Sequence, residues 1–220
     1  MKIKSKGMFF DVIQEERAWR RKELTNFKSL IHHARNSHQQ SLLRAGILLL
    51  YAHWEGYIKK VSETFFYYLN FKGHKYCELK SNFLAVGIAN KFNGNFPQNK
   101  FSAYASSVQF IVNDAKNLKF KIDVASRVDT KSNLSSEVLI ELLEMLGVET
   151  QHFNNNKFHI DGRLLKYRNA IAHGERTENN PTLSIDVSQF NDLYQRINDL
   201  IDYFETIVGD HIEYECYKVV

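Results

Sequence analysis

The sequence predicts an all-α fold, a helical bundle built as one domain over residues 1–220 with an irregular insert at 71–132. Three observations predict it. Only two prolines occur in 220 residues, and proline breaks a helix interior by removing a donor and clashing with the preceding turn. Phe190, Leu193, Ile197, Leu200, Ile201, Phe204, Ile207 and Val208 keep a strict helical period. Finally, Leu42 to about Asn70 is so apolar that its first half has almost no polar face, as in a helix at the centre of a bundle or at a subunit interface.

The elements follow in order. Residues 8–38 read as a polar amphipathic helix, with Phe9, Val12, Ile13, Trp19, Leu24, Phe27, Leu30 and Ile31 spaced mostly three, four or seven apart. Ser41 offers a cap for the apolar helix after it. The stretch from Phe71 to Gln98 reads as irregular, its Lys-Phe-Asn-Gly-Asn-Phe-Pro segment as a turn. A helix is expected over Phe101–Lys119 and a short strand over Phe120–Val124. Ser132 to Ser135 offer caps for a helix from Ser136 to Leu146, stopped by Gly147. Asp161 is expected to cap a helix running to His173, closed by Gly174, and Ser188 to cap the last helix.

Composition narrows the function classes. A chain 44% hydrophobic and 25% charged excludes disorder, collagen and a coiled-coil rod. The balance of 29 Lys and Arg against 25 Asp and Glu gives +4, mildly basic and compatible with nucleic acid. Cys77 and Cys216 form neither a CxxC pair nor a disulfide ladder. The basic start leads to no long apolar stretch, and the longest apolar run, Ala45 to Ala52, is far shorter than the roughly 20 residues that span a bilayer. The expectation is a reduced, cytoplasmic protein with no membrane segment.

The segment that carries chemistry is Arg168-Asn169-Ala170-Ile171-Ala172-His173-Gly174-Glu175. Imidazole exchanges a proton near neutrality, and guanidinium is a permanent planar cation suited to phosphate. On a straight helix Arg168 and His173 point about 140° apart, whereas Asn169 shares the face of His173. The two therefore meet only if the arginine bends round, if the last turn loosens, or if a second subunit completes the site. Otherwise they are a solvated cation and a partner for the last helix carbonyls. Arg44, Leu48, Tyr51 and Glu55 form one stripe on the apolar helix, to within about 20°. Arg44 and Glu55 stand about 16 Å apart at 1.5 Å per residue, too far to pair, and stranding either charge in a core is costly. Arg168 is one candidate partner for Glu55; Lys59, four residues on, is another.

Arg168-Asn169 with His173 is similar to the R-x4–6-H motif of the HEPN superfamily, including the polar residue after the arginine. The run Leu42-Leu-Arg-Ala-Gly-Ile-Leu-Leu-Leu-Tyr-Ala-His-Trp-Glu-Gly-Tyr-Ile-Lys59 resembles the Tyr-Ala-His-Trp-Glu-Gly helix of a bacterial branch found in toxin–antitoxin and phage-defence loci. The resemblance covers about 8–70 and 133–216. It implies a bundle that forms a homodimer and brings two motifs into one cleft, as in metal-independent endoribonucleases that need no cofactor. The implied catalytic residues are Arg168, His173 and Asn169, with Glu55, Arg44 and Tyr167 as supporting or RNA-binding residues. The implied partners are RNA and a cognate antitoxin protein. The rival implication is a non-catalytic HEPN-like module that binds nucleotides or proteins.

Other readings lose support. His32 and His33 are adjacent and point about 100° apart on a helix, His152 and His159 flank an Asn-rich loop without carboxylate or thiol at ligand spacing, and HExxH is absent, so no metal is expected. No GxxxxGK[ST], GxGxxG or GxSxG occurs. Lys2, Lys4, Lys6, Arg17, Arg20, Arg21 and Lys22 read as a solvated face or as RNA-backbone contacts.

Overall fold

The computed structural model describes residues 2–91, 100–115, 117–176 and 183–219. Nine α-helices are present among them: α1 Lys6–His33, α2 Asn36–Lys72, α3 Ser81–Lys91, α4 Phe101–Gln109, α5 Val124–Arg127, α6 Ser136–Leu146, α7 Gln151–Asn155, α8 Lys166–Ala172 and α9 Val187–Glu213. Two wider π-helical segments, Phe110–Asp114 and Phe158–Leu165, extend α4 and lead into α8. No strand forms among the described residues; the expected strand at Phe120–Val124 is instead irregular chain entering α5, beside an isolated bridge between Lys75 and Lys119.

The bundle is organised on α2, which at 1.5 Å per residue is about 55 Å long. It packs against α1, α8 and α9. From Trp54 onward one side of it fills the core: Trp54, Tyr57, Ile58, Val61, Phe65 and Phe66 are fully buried. Its first half is less enclosed than the sequence suggested. Ala45, Leu48 and Ala52 lie exposed along one side, so the apolar run leaves an uncovered stripe. Ser41 does not start this helix; Asn36 does, in a left-handed conformation (φ 54°) that Asn tolerates.

Polar groups tie the long helices together. The Arg17 guanidinium of α1 donates to Asp202 at 2.6 Å and to Asn198 at 3.1 Å on α9. The Tyr57 hydroxyl of α2 donates to Glu205 of α9 at 2.7 Å. The buried arginine thus finds its carboxylate in the neighbouring helix, as a buried charge must. The basic α1 cluster is in this respect partly structural.

The described residues of 71–132 hold more regular structure than expected. It contains α3, α4 and α5, and Phe83, Phe120, Val124 and Val128 join the main core. Of the Lys-Phe-Asn-Gly-Asn-Phe-Pro segment read as a turn, Lys91 ends α3 and the rest lies outside the described residues. The caps also differ from expectation in part. Ser135 caps α6 and Gly147 closes it, as anticipated, but the last helix is capped by Asp186 with Gln189 in a reciprocal capping box, two residues before Ser188. Asp161 caps no helix of its own: it lies within the π segment, and its carboxylate accepts from the backbone N–H of Ser136 at 2.8 Å.

Candidate active site

The chain enters the motif through the π segment Phe158–Leu165, whose wider turns re-phase the side chains before α8 begins. Helix α8 ends at Ala172. Gly174, at φ 77°, takes the left-handed conformation that stops a helix, and Glu175 N–H closes the turn on Ala170 at 2.9 Å. His173 is therefore the terminal cap residue, exposed to solvent. Its imidazole makes no hydrogen bond or ion pair with any described residue.

Arg168 is half-buried and held on three sides by neutral groups. Its Nη1 donates to Asn133 Oδ1 at 2.5 Å and to Asn169 Oδ1 at 2.8 Å. Its guanidinium carbon lies 4.7 Å from the centroid of the Tyr51 ring, over the face, where the ring quadrupole attracts a cation. No carboxylate pairs with it among the described residues. Nε and Nη2 donate to no described protein group.

Glu55 does not pair with Arg168, nor with Lys59: its carboxylate accepts from the Thr130 hydroxyl at 2.6 Å. A neutral donor from the loop before α6 meets the need for a partner that the stripe implied. Arg44 satisfies itself on backbone, donating to the Glu175 carbonyl at 2.7 Å and tying the chain after the motif to α2. Asn169 is spent on Arg168 rather than aimed at His173. Tyr167 is half-buried and packs on the core. No hydrogen bond joins Arg168 to His173, in keeping with the rotation expected on a helix.

The Tyr-Ala-His-Trp-Glu-Gly run is now legible residue by residue. Tyr51 underlies Arg168 and accepts the Leu134 N–H at 2.7 Å through its hydroxyl. Burial pushes this phenol up to about 12, the Leu134 N–H pulls it back, and the Glu55 carboxylate adds to the rise. Ala52 is exposed. His53 turns toward α1, its Nε2 2.6 Å from Glu23 and its ring against Trp19. Trp54 fills the core, Glu55 holds Thr130, and Gly56 leaves room for Arg20, whose Nη2 would stand 3.2 Å from an added Cβ.

Two contributors were missed by sequence reading. Ser132 to Ser135 read only as helix caps, yet Asn133 among them carries Arg168. Thr130, 75 residues from Glu55 in the chain, gave no signal, because a single hydroxyl in a turn has no periodicity.

A family model described as RiboL-PSP-HEPN matches residues 15–210, well over half of the chain. No curated protein and no solved structure matches it significantly.

Proposed function

Because the chain belongs to the RiboL-PSP-HEPN family, we propose that it is an endoribonuclease that cuts RNA by attack of the substrate's own 2′-hydroxyl. The observation that carries this reading is Arg168: a half-buried guanidinium, fixed by two amide oxygens and an aromatic face, with no carboxylate paired to it among the described residues. Such a cation is placed to bind phosphoryl oxygens as negative charge builds up at phosphorus. His173, exposed at the end of α8, supplies proton transfer worth about 10²–10⁴-fold. The 2′-hydroxyl loses its proton to the imidazole and attacks phosphorus; the bond to the 5′-oxygen breaks, and that oxygen takes up the proton from the imidazolium. The products are a 2′,3′-cyclic phosphate and a 5′-hydroxyl, and no metal ion is called for.

The reading includes a homodimer. No hydrogen bond joins Arg168 to His173 within the chain, and the exposed Ala45–Leu48–Ala52 stripe lies on the same helix as Tyr51 and Glu55. A second copy packed on that stripe brings two motifs into one cleft. The likeness of the Tyr51–Gly56 helix to those of toxin–antitoxin and phage-defence proteins supports a toxin or effector role, held in check by a cognate antitoxin.

The test is an RNA cleavage assay with end-group analysis. Activity that persists in EDTA, leaves cyclic phosphate ends and is lost in both Arg168→Ala and His173→Ala supports the reading. Undiminished cleavage by His173→Ala, or abolition by EDTA, overturns it. RNA binding without any cleavage favours the non-catalytic nucleotide-binding module instead.

A further inference from the structure

The geometry around Arg168 points to a role for the loop before α6, and with it for the end of the 71–132 stretch. We infer that Asn133 and Tyr51 are positioning residues that preset the Arg168 guanidinium for phosphate. The kinetic half of this inference rests on the ribonuclease reading above; the structural half does not.

The loop is anchored before it reaches Arg168. Val128 and Leu134 are fully buried, and Thr130 is almost so. Thr130 donates to Glu55, the Leu134 N–H donates to the Tyr51 hydroxyl, and Ser135 caps α6. Asn133 sits between these fixed points, and the Ser135 N–H donates to its carbonyl at 3.0 Å. Its side-chain oxygen therefore faces Arg168 from a rigid frame. Tyr51 serves twice, presenting its ring face to the guanidinium and its hydroxyl to the loop that carries Asn133.

These contacts use one face and one nitrogen of the arginine. Nη1 is shared between Asn133 and Asn169, while Nε and Nη2 donate to no described residue and so have protons to offer a ligand. Both acceptors are neutral amides, so they orient the cation without cancelling its charge, as a carboxylate would. An arginine is long and rotamer-rich, and a misplacement of about 1 Å at a reacting centre costs on the order of 100-fold in rate. Holding it in advance removes that loss.

Side-chain NMR of the full-length protein and single-turnover cleavage test this together. In the wild type the Arg168 guanidinium protons, assigned by their absence in Arg168→Lys, should appear as separate resonances, slowed in rotation and shifted by the Tyr51 ring. Asn133→Ala should merge them and lower kcat about 10- to 100-fold, with KM and Tm nearly unchanged. Asn133→Asp should hold the guanidinium again and recover part of kcat, because its carboxylate restores the acceptor but pairs off charge. Tyr51→Leu should remove the ring shift. Freely rotating Arg168 in the wild type, or wild-type kcat in Asn133→Ala with the guanidinium released, overturns the inference while leaving the ribonuclease reading intact. A wild type that cuts no RNA yet holds Arg168 through Asn133 supports the holding and removes only the ribonuclease reading.

Discussion

The Asp161 carboxylate accepts hydrogen bonds from both the backbone N–H and the hydroxyl of Ser136, so the segment leading to Arg168 caps the neighbouring helix α6. A carboxylate at a helix N-terminus satisfies an orphan donor and faces the positive end of the dipole. The contact also fixes the π segment to the loop that carries Asn133. Asp161→Ala should therefore lower the unfolding free energy by about 1–2 kcal/mol, with Asp161→Asn losing less. Urea denaturation checks the magnitude. If the cap also braces the site, hydrogen exchange in Phe158–Ala172 should quicken more than in α9.

Gly46 allows α2 to approach two neighbours closely. A Cβ there would lie 2.9 Å from Ile31 Cδ1 and 3.0 Å from Phe190 Cε2, both in the core. Alanine in mid-helix is worth about 0.5–1 kcal/mol over glycine, whereas overpacking costs about 1–3 kcal/mol. The clash should win, and Gly46→Ala should be net destabilising by about 1 kcal/mol, read by thermal or urea unfolding. A stabilised variant would mean that Ile31 and Phe190 yield freely.

The bundle was legible because helical periodicity is local: the spacing of apolar residues in α9 and the caps of α6 lie within single stretches of chain. The candidate segment stood out for the same reason, since Arg168, Asn169 and His173 fall within six consecutive residues at the end of one helix. The partners of those residues were not. Glu55 meets Thr130 and Arg168 meets Asn133 across 75 and 35 residues of chain, through short neutral side chains that any turn contains. Charge logic pointed Glu55 to Arg168 because it weighed only charged partners for a buried carboxylate, although a hydroxyl satisfies one as well. Likewise Asp161 looked like a cap for its own helix, since proximity in three dimensions to Ser136 leaves no trace in sequence spacing.

The proposed pairing of two copies makes Leu48 a sensitive position. It is 37% exposed within an otherwise apolar stretch of α2, and buried leucine surface at an interface stabilises by roughly 25 cal/mol per Å². Leu48→Arg should leave the fold intact, with a stability change within about 0.5 kcal/mol as for most surface substitutions. It should nevertheless convert a dimer to a monomer in sedimentation velocity and abolish cleavage together with it. A variant that stays dimeric, or a wild type that is monomeric throughout, would remove this face from the pairing.

His211 gives the protein an acid-sensitive point far from the motif in sequence. Its ring lies among Phe65 and Tyr217, with centroids 5.9 and 6.3 Å away, and its buried Nε2 has no hydrogen-bond partner among the described residues. Burial lowers its pKa from 6.5 to about 4, and the Lys80 cation pushes the same way. Since the folded value lies below the unfolded one, the native state holds a neutral imidazole while the unfolded chain takes up a proton first. Stability from this residue is complete above about pH 6.5 and is lost as pH falls toward 4. At about 1.4 kcal/mol per pH unit the loss reaches about 3 kcal/mol. His211→Phe keeps a planar ring in the aromatic cluster and removes the titration. Urea unfolding at several values between pH 7 and 4 should show the wild type losing that much more than the variant, the carboxylates common to both cancelling in the difference. Parallel curves would mean that the ring takes up its proton as readily in the fold as in the unfolded chain, and would overturn the lowered value.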